Sequence, residues 1–191
     1  MCGIFGLYAV YESAAGGGAV LGSTHQQALV EVLLNGLARL EYRGYDSAGL
    51  GVGEGAGIAV VKEQGKVADL RALCECKGML DGGGDSGVRG EDADTSNVDR
   101  LVTSGIAHTR WATHGAPSRA NAHPQVDDER HGFVVVHNGI ITNYNVLKSF
   151  LMDRGVDFAS ETDTEVIAKL CGFLYAEMPG VGFQEVRPSQ V

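Results

Sequence analysis

A cysteine at the second position is the first residue of this chain that could perform chemistry. Removal of Met1 would leave Cys2 with a free α-amino group. Such a group has a pKa of about 7.7–8.0, well below that of a lysine. The amine could therefore act as a general base near neutral pH and take the proton of its own thiol. Because many chains carry a chance cysteine here, this feature needs support from other residues.

Five more segments concentrate charged, amide and aromatic side chains among glycines and small residues. They are separated by ordinary sequence and follow one another in a defined order. With Cys2-Gly3-Ile4 at the start, the segments are 42–49 (YRGYDSAG), 108–115 (HTRWATHG), 121–124 (NAHP), 137–141 (HNGII) and 160–165 (SETDTE).

Together these six segments resemble the class II glutamine amidotransferases, the N-terminal-nucleophile hydrolases that take ammonia from glutamine. Within that class they are most similar to the glutamine–fructose-6-phosphate aminotransferase family, whose glutaminase domain carries YRGYDSAG, HTRWATHG, HNGI and SETDTE in this order. The resemblance covers about residues 2–175. Amidophosphoribosyltransferase, asparagine synthetase and glutamate synthase share the Cys-Gly-Ile start and form the alternative within the class. A further alternative is a catalytically silent fragment.

The resemblance implies an α+β fold, the αββα sandwich of N-terminal-nucleophile hydrolases. It also implies that Cys2 attacks the side-chain amide of L-glutamine with its own α-amino group as the base. Asn138 and Gly139 match the oxyanion hole, whose donors act as charge appears on the carbonyl oxygen. Arg43 lies in a segment near the nucleophile and is expected to support the site.

The resemblance also assigns the residues that hold the amino-acid end of glutamine. Arg110 matches the arginine that pairs with the α-carboxylate, a task that suits a planar guanidinium. Asp163 matches the acid that holds the α-ammonium group. Trp111, Thr113 and His114 match residues of the loop that closes over glutamine in the family. In those proteins the tryptophan also gates an ammonia channel.

Simpler interpretations of these residues stay open at the level of sequence. Asp163 could be a carboxylate in the first turn of a helix, favoured by the helix dipole. Arg110 and Trp111 could form a cation–π pair at the surface. Asn138-Gly139 is also the commonest signal of a type I′ hairpin turn.

Composition excludes several other classes of protein. The 191 residues carry 15 basic and 24 acidic side chains, a net charge of −9, which argues against nucleic-acid binding. No apolar run approaches the roughly 18 residues that cross a membrane. The spacing of the histidines and cysteines matches no metal site, so we expect neither a metal nor a cofactor. With no signal peptide, we expect a cytoplasmic protein.

Periodicity predicts the elements that must position these residues. Strands are expected at residues 4–10, 48–52, 58–62, 105–111 and 133–137. A helix is expected from Ser23 to just before Gly44. Two later helices are expected, the first capped by Thr142 or Asn143 and the second opened by a capping box of Thr162 and Glu165.

Residues 77–100 are glycine-rich, acidic and aperiodic, which predicts a mobile surface insertion. We therefore expect residues 2–191 to form one glutaminase domain, shortened at its C-terminus because its later strands should follow the last helix. The sugar isomerase domains of the family are expected to be absent. Fructose 6-phosphate would be a substrate only in a full-length enzyme, and a homo-oligomer would depend on those absent domains.

Overall fold

The computed structural model describes residues 2–12, 23–54, 57–80, 100–112, 115–128 and 132–177. These residues form six strands, four α-helices and one short 3-10 turn at Glu41–Arg43. In chain order the strands and helices are β1 (Gly3–Glu12), α1 (Ser23–Leu40), β2 (Ser47–Glu54), β3 (Gly57–Gln64), α2 (Val67–Cys76), β4 (Arg100–Arg110), β5 (Gln125–Val126), β6 (Val134–Val135), α3 (Tyr144–Met152) and α4 (Glu165–Glu177).

The larger sheet is antiparallel, with strand order β1-β4-β2-β3. Its register places Gly3 opposite Thr109, and Ser47 opposite Arg110. The first residues of β1 and β2 therefore lie beside the last residues of β4, at one end of these three strands. This register gathers the segments that contain Cys2, Asp46 and Arg110.

The described residues form four layers. Helices α1 and α2 pack on one face of the larger sheet, over an apolar core. Strands β5 and β6 pair as a second small sheet on its other face, and α4, with α3 beside it, packs against that sheet. The arrangement is the αββα sandwich that the resemblance implies. The core beneath α1 and α2 includes Leu33, Leu37, Leu50, Val52, Leu70 and Ala107.

Most of the predicted elements are confirmed, and several details differ. The short strand β5 was not predicted. Helix α2 was not predicted, although Val67, Leu70 and Cys74 are buried at helical spacing along it. The strand expected at 133–137 is only Val134–Val135. The capping box of Thr162 with Glu165 is wrong, because Glu165 is the first residue of α4 and its carboxylate accepts the N–H groups of residues 159 and 160 instead.

Helix α3 begins after Asn143, as the sequence predicts, but the Asn143 side chain makes no capping hydrogen bond. The side chain of Ser23 and the C-terminal residues 178–191 lie outside the described residues.

The expected insertion at 77–100 has firm ends. Met79 and Leu80 pack, partly buried, against the apolar core, and Arg100 is already the first residue of β4. Residues 81–99 lie outside the described part of the chain. Of the helices described, none combines the length and the apolar composition needed to cross a membrane.

Candidate active site

A pocket of about 470 Å³ lies at the end of the larger sheet where β1 begins and β4 ends. It brings together residues from distant parts of the chain, including seven of the nine predicted site residues. Thr113 and His114, the other two, lie outside the described residues. The predicted residues that line the pocket are Cys2, Arg43, Arg110, Trp111, Asn138, Gly139 and Asp163.

The Cys2 thiol contacts the backbone of Trp111. The Trp111 N–H donates to its Sγ at 3.3 Å, and its thiol lies 3.7 Å from the Trp111 carbonyl oxygen. The next residue is anchored too, because the Gly3 N–H donates to the Thr109 Oγ1 at 3.2 Å. A Cβ at Gly3 would lie 2.7 Å from the Leu40 Cβ, so only glycine fits after the cysteine. These contacts hold the Cys2 thiol in the lining of the pocket.

The segment at 42–49 supports the turn that follows β4. The Asp46 carboxylate accepts the Ala112 N–H at 2.8 Å, and the Asp46 N–H donates to the Arg110 carbonyl oxygen at 3.1 Å. The Tyr45 ring meets the Trp111 ring edge-on, with centroids 5.3 Å apart. Asp46 therefore holds the backbone that touches the Cys2 thiol. Asp46 lies in a segment identified from the sequence, but its role was not predicted.

Arg43 borders the pocket, as expected of a supporting residue. Its Nε donates to the neighbouring Tyr42 hydroxyl at 2.9 Å, and its guanidinium lies 5.3 Å from the centroid of that ring. The side chain therefore presents a positive charge at the rim.

Asn138 and Gly139 lie in the irregular loop between β6 and α3. The Asn138 Nδ2 donates to the Cys2 carbonyl oxygen at 3.0 Å, which places the amide beside the cysteine. Helix α3, not a strand, follows this loop. The hairpin interpretation of the Asn-Gly pair is therefore wrong.

Asp163 precedes α4, which begins at Glu165, so a first-turn position does not account for this carboxylate. Its Oδ2 accepts the Ile141 N–H at 2.7 Å, and its Oδ1 accepts the Thr164 hydroxyl at 3.4 Å. Asp163 thus ties the start of α4 to the loop that carries Asn138. One carboxylate both lines the pocket and holds the loop in place.

Arg110 is 5% exposed, which excludes the surface pair with Trp111 considered from the sequence. Its Nη2 donates to the Gly115 carbonyl oxygen at 3.4 Å. Burial lowers the pKa of the guanidinium, while the nearby Cys2, Asp46, Asp163 and Glu161 favour its charged form. Arginine keeps its charge in proteins, so Arg110 gives the pocket a buried cation.

Three histidines, His108, His123 and His137, lie close together next to the loop that carries Asn138. His108 is 0% exposed and His123 is 6% exposed, and their rings meet edge-on with centroids 4.3 Å apart. Burial lowers the pKa of His108 to about 4 and that of His123 to about 2, so both are neutral at pH 7. His137 contacts the Thr164 hydroxyl at 3.3 Å. Within the described ranges, no group of three His, Cys, Asp or Glu side chains could hold a metal ion.

A comparison with protein families matches residues 84–178 of this chain to a glutamine amidotransferase domain. Among curated proteins, the chain is 46% identical over 156 residues to glutamine–fructose-6-phosphate aminotransferase 1 of Rattus norvegicus, which covers 77% of the chain and 21% of that protein. It is 43% identical over 185 residues to the probable enzyme of Schizosaccharomyces pombe, covering 96% of the chain and 23% of the relative. The chain thus spans about a fifth of these relatives.

Two solved structures share the fold at lower identity. Glutamine phosphoribosylpyrophosphate amidotransferase from B. subtilis, in complex with ADP and GMP, aligns with a TM-score of 0.53 and 22% identity, over 95% of this chain and 31% of its own. A structure described as the allosteric regulatory enzyme of purine biosynthesis aligns with a TM-score of 0.54 and 19% identity, at the same coverage. Both carry the class II amidotransferase fold.

Proposed function

We propose that this chain, a glutamine amidotransferase domain homologous to the glutaminase domain of the glutamine–fructose-6-phosphate aminotransferases, hydrolyses L-glutamine through a thioester on Cys2. One observation carries the proposal. A single pocket holds a cysteine thiol, an amide donor beside it, a buried guanidinium and a carboxylate. These are the groups needed to bind an α-amino acid and to cleave its side-chain amide.

The substrate would be held through its two backbone charges. The α-carboxylate would pair with Arg110, whose planar guanidinium lines the pocket and suits a carboxylate. The α-ammonium group would pair with Asp163, whose oxygens keep further acceptor capacity beyond the two donors they already bind. Two anchors of opposite charge fix the side-chain amide in one direction, which is the main requirement for attack by a positioned thiol.

The first half of the reaction makes the thioester and ammonia. The α-amino group of the processed Cys2 takes the thiol proton, and the sulfur attacks the side-chain carbonyl carbon. Asn138 Nδ2 and the Gly139 N–H would stabilise the oxyanion of the tetrahedral species. The carbon–nitrogen bond then breaks, and the ammonium of Cys2 returns its proton to the leaving NH₂, which departs as ammonia.

The second half restores the enzyme. A water molecule gives a proton to the same amine and attacks the thioester carbonyl carbon. The carbon–sulfur bond breaks, glutamate leaves, and the sulfur recovers its proton from the amine. The residues that stabilised the first oxyanion serve the second in the same way, because both develop on the same oxygen.

Beyond this half-reaction, we propose that the ammonia serves the synthesis of glucosamine 6-phosphate from fructose 6-phosphate, in a longer protein or with a partner that supplies the sugar isomerase. The proposal rests on relatives of which this chain spans about a fifth. A cytoplasmic location fits such a substrate. Phosphoribosylpyrophosphate amidotransferases remain the second candidate. The first is preferred because 40–46% identity to the sugar enzymes exceeds 19–22% to the purine ones.

The test is glutamate release from L-glutamine by purified protein whose intact mass confirms Cys2 as the first residue. Cys2→Ala should reduce turnover to background, a loss of at least about 10⁴-fold, because removing a nucleophile disables the whole catalytic unit. Cys76→Ala is the matched control, since Cys76 is an exposed free cysteine far from the pocket in sequence, and should keep full turnover. Activity retained by Cys2→Ala would refute the proposed mechanism. A folded but inactive wild type would favour the silent-fragment alternative.

A further inference from the structure

A chain of two hydrogen bonds runs from the interior of the larger sheet to the nucleophile. His108 Nε2 lies 2.9 Å from the Asn138 Oδ1, and the Asn138 Nδ2 lies 3.0 Å from the Cys2 carbonyl oxygen. His108 belongs to β4, and Asn138 to the loop after β6. The Asn138 amide therefore bridges a strand residue and the backbone of Cys2.

The direction of both bonds follows from chemistry. A carbonyl oxygen only accepts, so the Asn138 atom that faces Cys2 must be the NH₂ group. The Asn138 atom that faces His108 is then the carbonyl oxygen, and His108 must donate from Nε2. At neutral pH this assigns one tautomer to His108, with the proton on Nε2. The amide NH₂ carries two protons, and the Cys2 carbonyl takes one of them, so the second can point to an oxyanion.

The two partners differ in how firmly their surroundings hold them. His108 is fully buried, lies on β4 between two hydrogen-bonded strands, and contacts the ring of His123. Asn138 is exposed and lies in irregular backbone. An exposed amide can rotate about its own side-chain torsions unless a partner fixes it. The fixed partner is His108.

We propose that His108 is a positioning residue for the oxyanion hole, which fixes the Asn138 amide so that its free N–H points at the carbonyl oxygen of the substrate. This inference rests on the proposed function, since it names the residue that prepares one of its two oxyanion donors. A donor held before the reaction costs no reorganisation when charge appears. The bond from His108 also polarises the amide and strengthens its N–H as a donor.

The neutral state of the ring supports this role. Because burial lowers the pKa of His108 to about 4, the ring is predominantly neutral between pH 5 and pH 8. The groups that face it are Asn138, the backbone and the ring of His137, Arg110 and the neutral His123. A neutral ring with its proton on Nε2 can donate to the Asn138 oxygen 2.9 Å away, and the His137 backbone lies beside the same ring.

The test is a double-mutant cycle on glutamate release with purified protein that begins at Cys2. His108→Leu removes the donor, and we expect kcat to fall about 100-fold while KM for glutamine changes less than about threefold, the pattern of a lost transition-state interaction. His108→Gln places an amide donor at similar reach and should recover most of the lost kcat. In an Asn138→Ala background, His108→Leu should cost no more than about twofold.

Independent effects of the two substitutions would overturn the proposal, as would a loss confined to KM. A measurement that needs no activity covers the case in which a variant fails to fold. Nitrogen-15 NMR of the wild-type His108 ring should show a protonated Nε2 and a bare Nδ1 from pH 5 to pH 8, and the opposite tautomer would refute the hydrogen bond. A wild type without glutaminase activity would count against the proposed function, while the ring tautomer would still decide the contact.

Discussion

The two faces of strands β2 and β4 have different surroundings, because successive residues of each strand point to opposite faces of the sheet. Leu50, Val52 and Ala107 point to α1 and α2 and belong to the apolar core. His108 and Arg110 point the other way, into buried polar surroundings beside the pocket. On the first face apolar side chains pack against one another, and on the second face buried polar side chains contact one another.

The second face also brings backbone unusually close. A Cβ on Gly49 would lie 2.2 Å from the His123 carbonyl oxygen, so the small residue lets the second layer approach β2 directly. This approach places His123 against His108 behind the pocket. Burial of the apolar face therefore supplies most of the favourable free energy of folding, and the cost of burying polar groups on the other face offsets part of it.

Acid should weaken the polar face first, and this is the largest effect we expect. The folded pKa values of His108 and His123, about 4 and about 2, lie below the ordinary 6.5. The unfolded chain therefore binds more protons as pH falls below about 6.5, and stability present at neutral pH is lost toward pH 4. At about 1.4 kcal/mol per pKa unit, the loss between pH 7 and pH 5 is on the order of 4 kcal/mol.

Urea unfolding at the two pH values measures this loss. His123→Asn serves as the matched variant, because it leaves one buried imidazole in place and should roughly halve the difference between pH 7 and pH 5. A variant with the full pH dependence of the wild type would mean that the two rings are not its source.

The apolar face should respond next. Leu50→Ala removes a fully buried side chain from the core, and we expect the free energy of unfolding to fall by about 3 kcal/mol, within the usual range for such cavities. Because Leu50 faces away from the pocket, KM for glutamine should stay unchanged where the variant is folded. Urea denaturation and glutamate-release kinetics on the same preparation separate the two. A changed KM with unchanged stability would reverse the roles assigned to the two faces.

Arg110→Met should give the smallest change in free energy and the opposite pattern. Losing the cation that would pair with the substrate α-carboxylate should lower kcat/KM about 100-fold, mainly through KM, which corresponds to about 2.7 kcal/mol. Its unfolding midpoint should shift less than that of Leu50→Ala, since the apolar core is untouched. A normal KM in a folded Arg110→Met variant would contradict the binding role of Arg110.

The motifs predicted the fold and most of the pocket because each one combines a scaffold residue with a reactive one. Short strand-like runs predicted β1, β2, β3 and β4, and helical spacing predicted α1. Helix α2 was missed because its ten residues lie between a strand and a long glycine-rich stretch that drew the interpretation toward loop. Strand β6 is short because only two residues find a partner, in β5.

The roles of Asp46 and His108 could not be predicted from spacing. Each acts through a hydrogen bond to a residue at least 30 positions away, and that partner is defined only once the strands are in register. Both residues do lie inside the motifs, at the fifth position of YRGYDSAG and the first of HTRWATHG. A motif thus indicated that they matter, and only the tertiary contacts indicated how.

Under the proposed function, the hydrogen bond between Asp163 and the Ile141 N–H would link substrate selection thermodynamically to catalysis. A ligand ammonium group on this carboxylate would restrain the same loop that carries the proposed oxyanion donors, and by reciprocity a restrained loop would bind the ammonium more tightly. Binding energy from the distant end of the amino acid is then spent at the reacting carbonyl. An amide that lacks the α-amino group would lose turnover as well as affinity, so the site discriminates against simple amides without a clash.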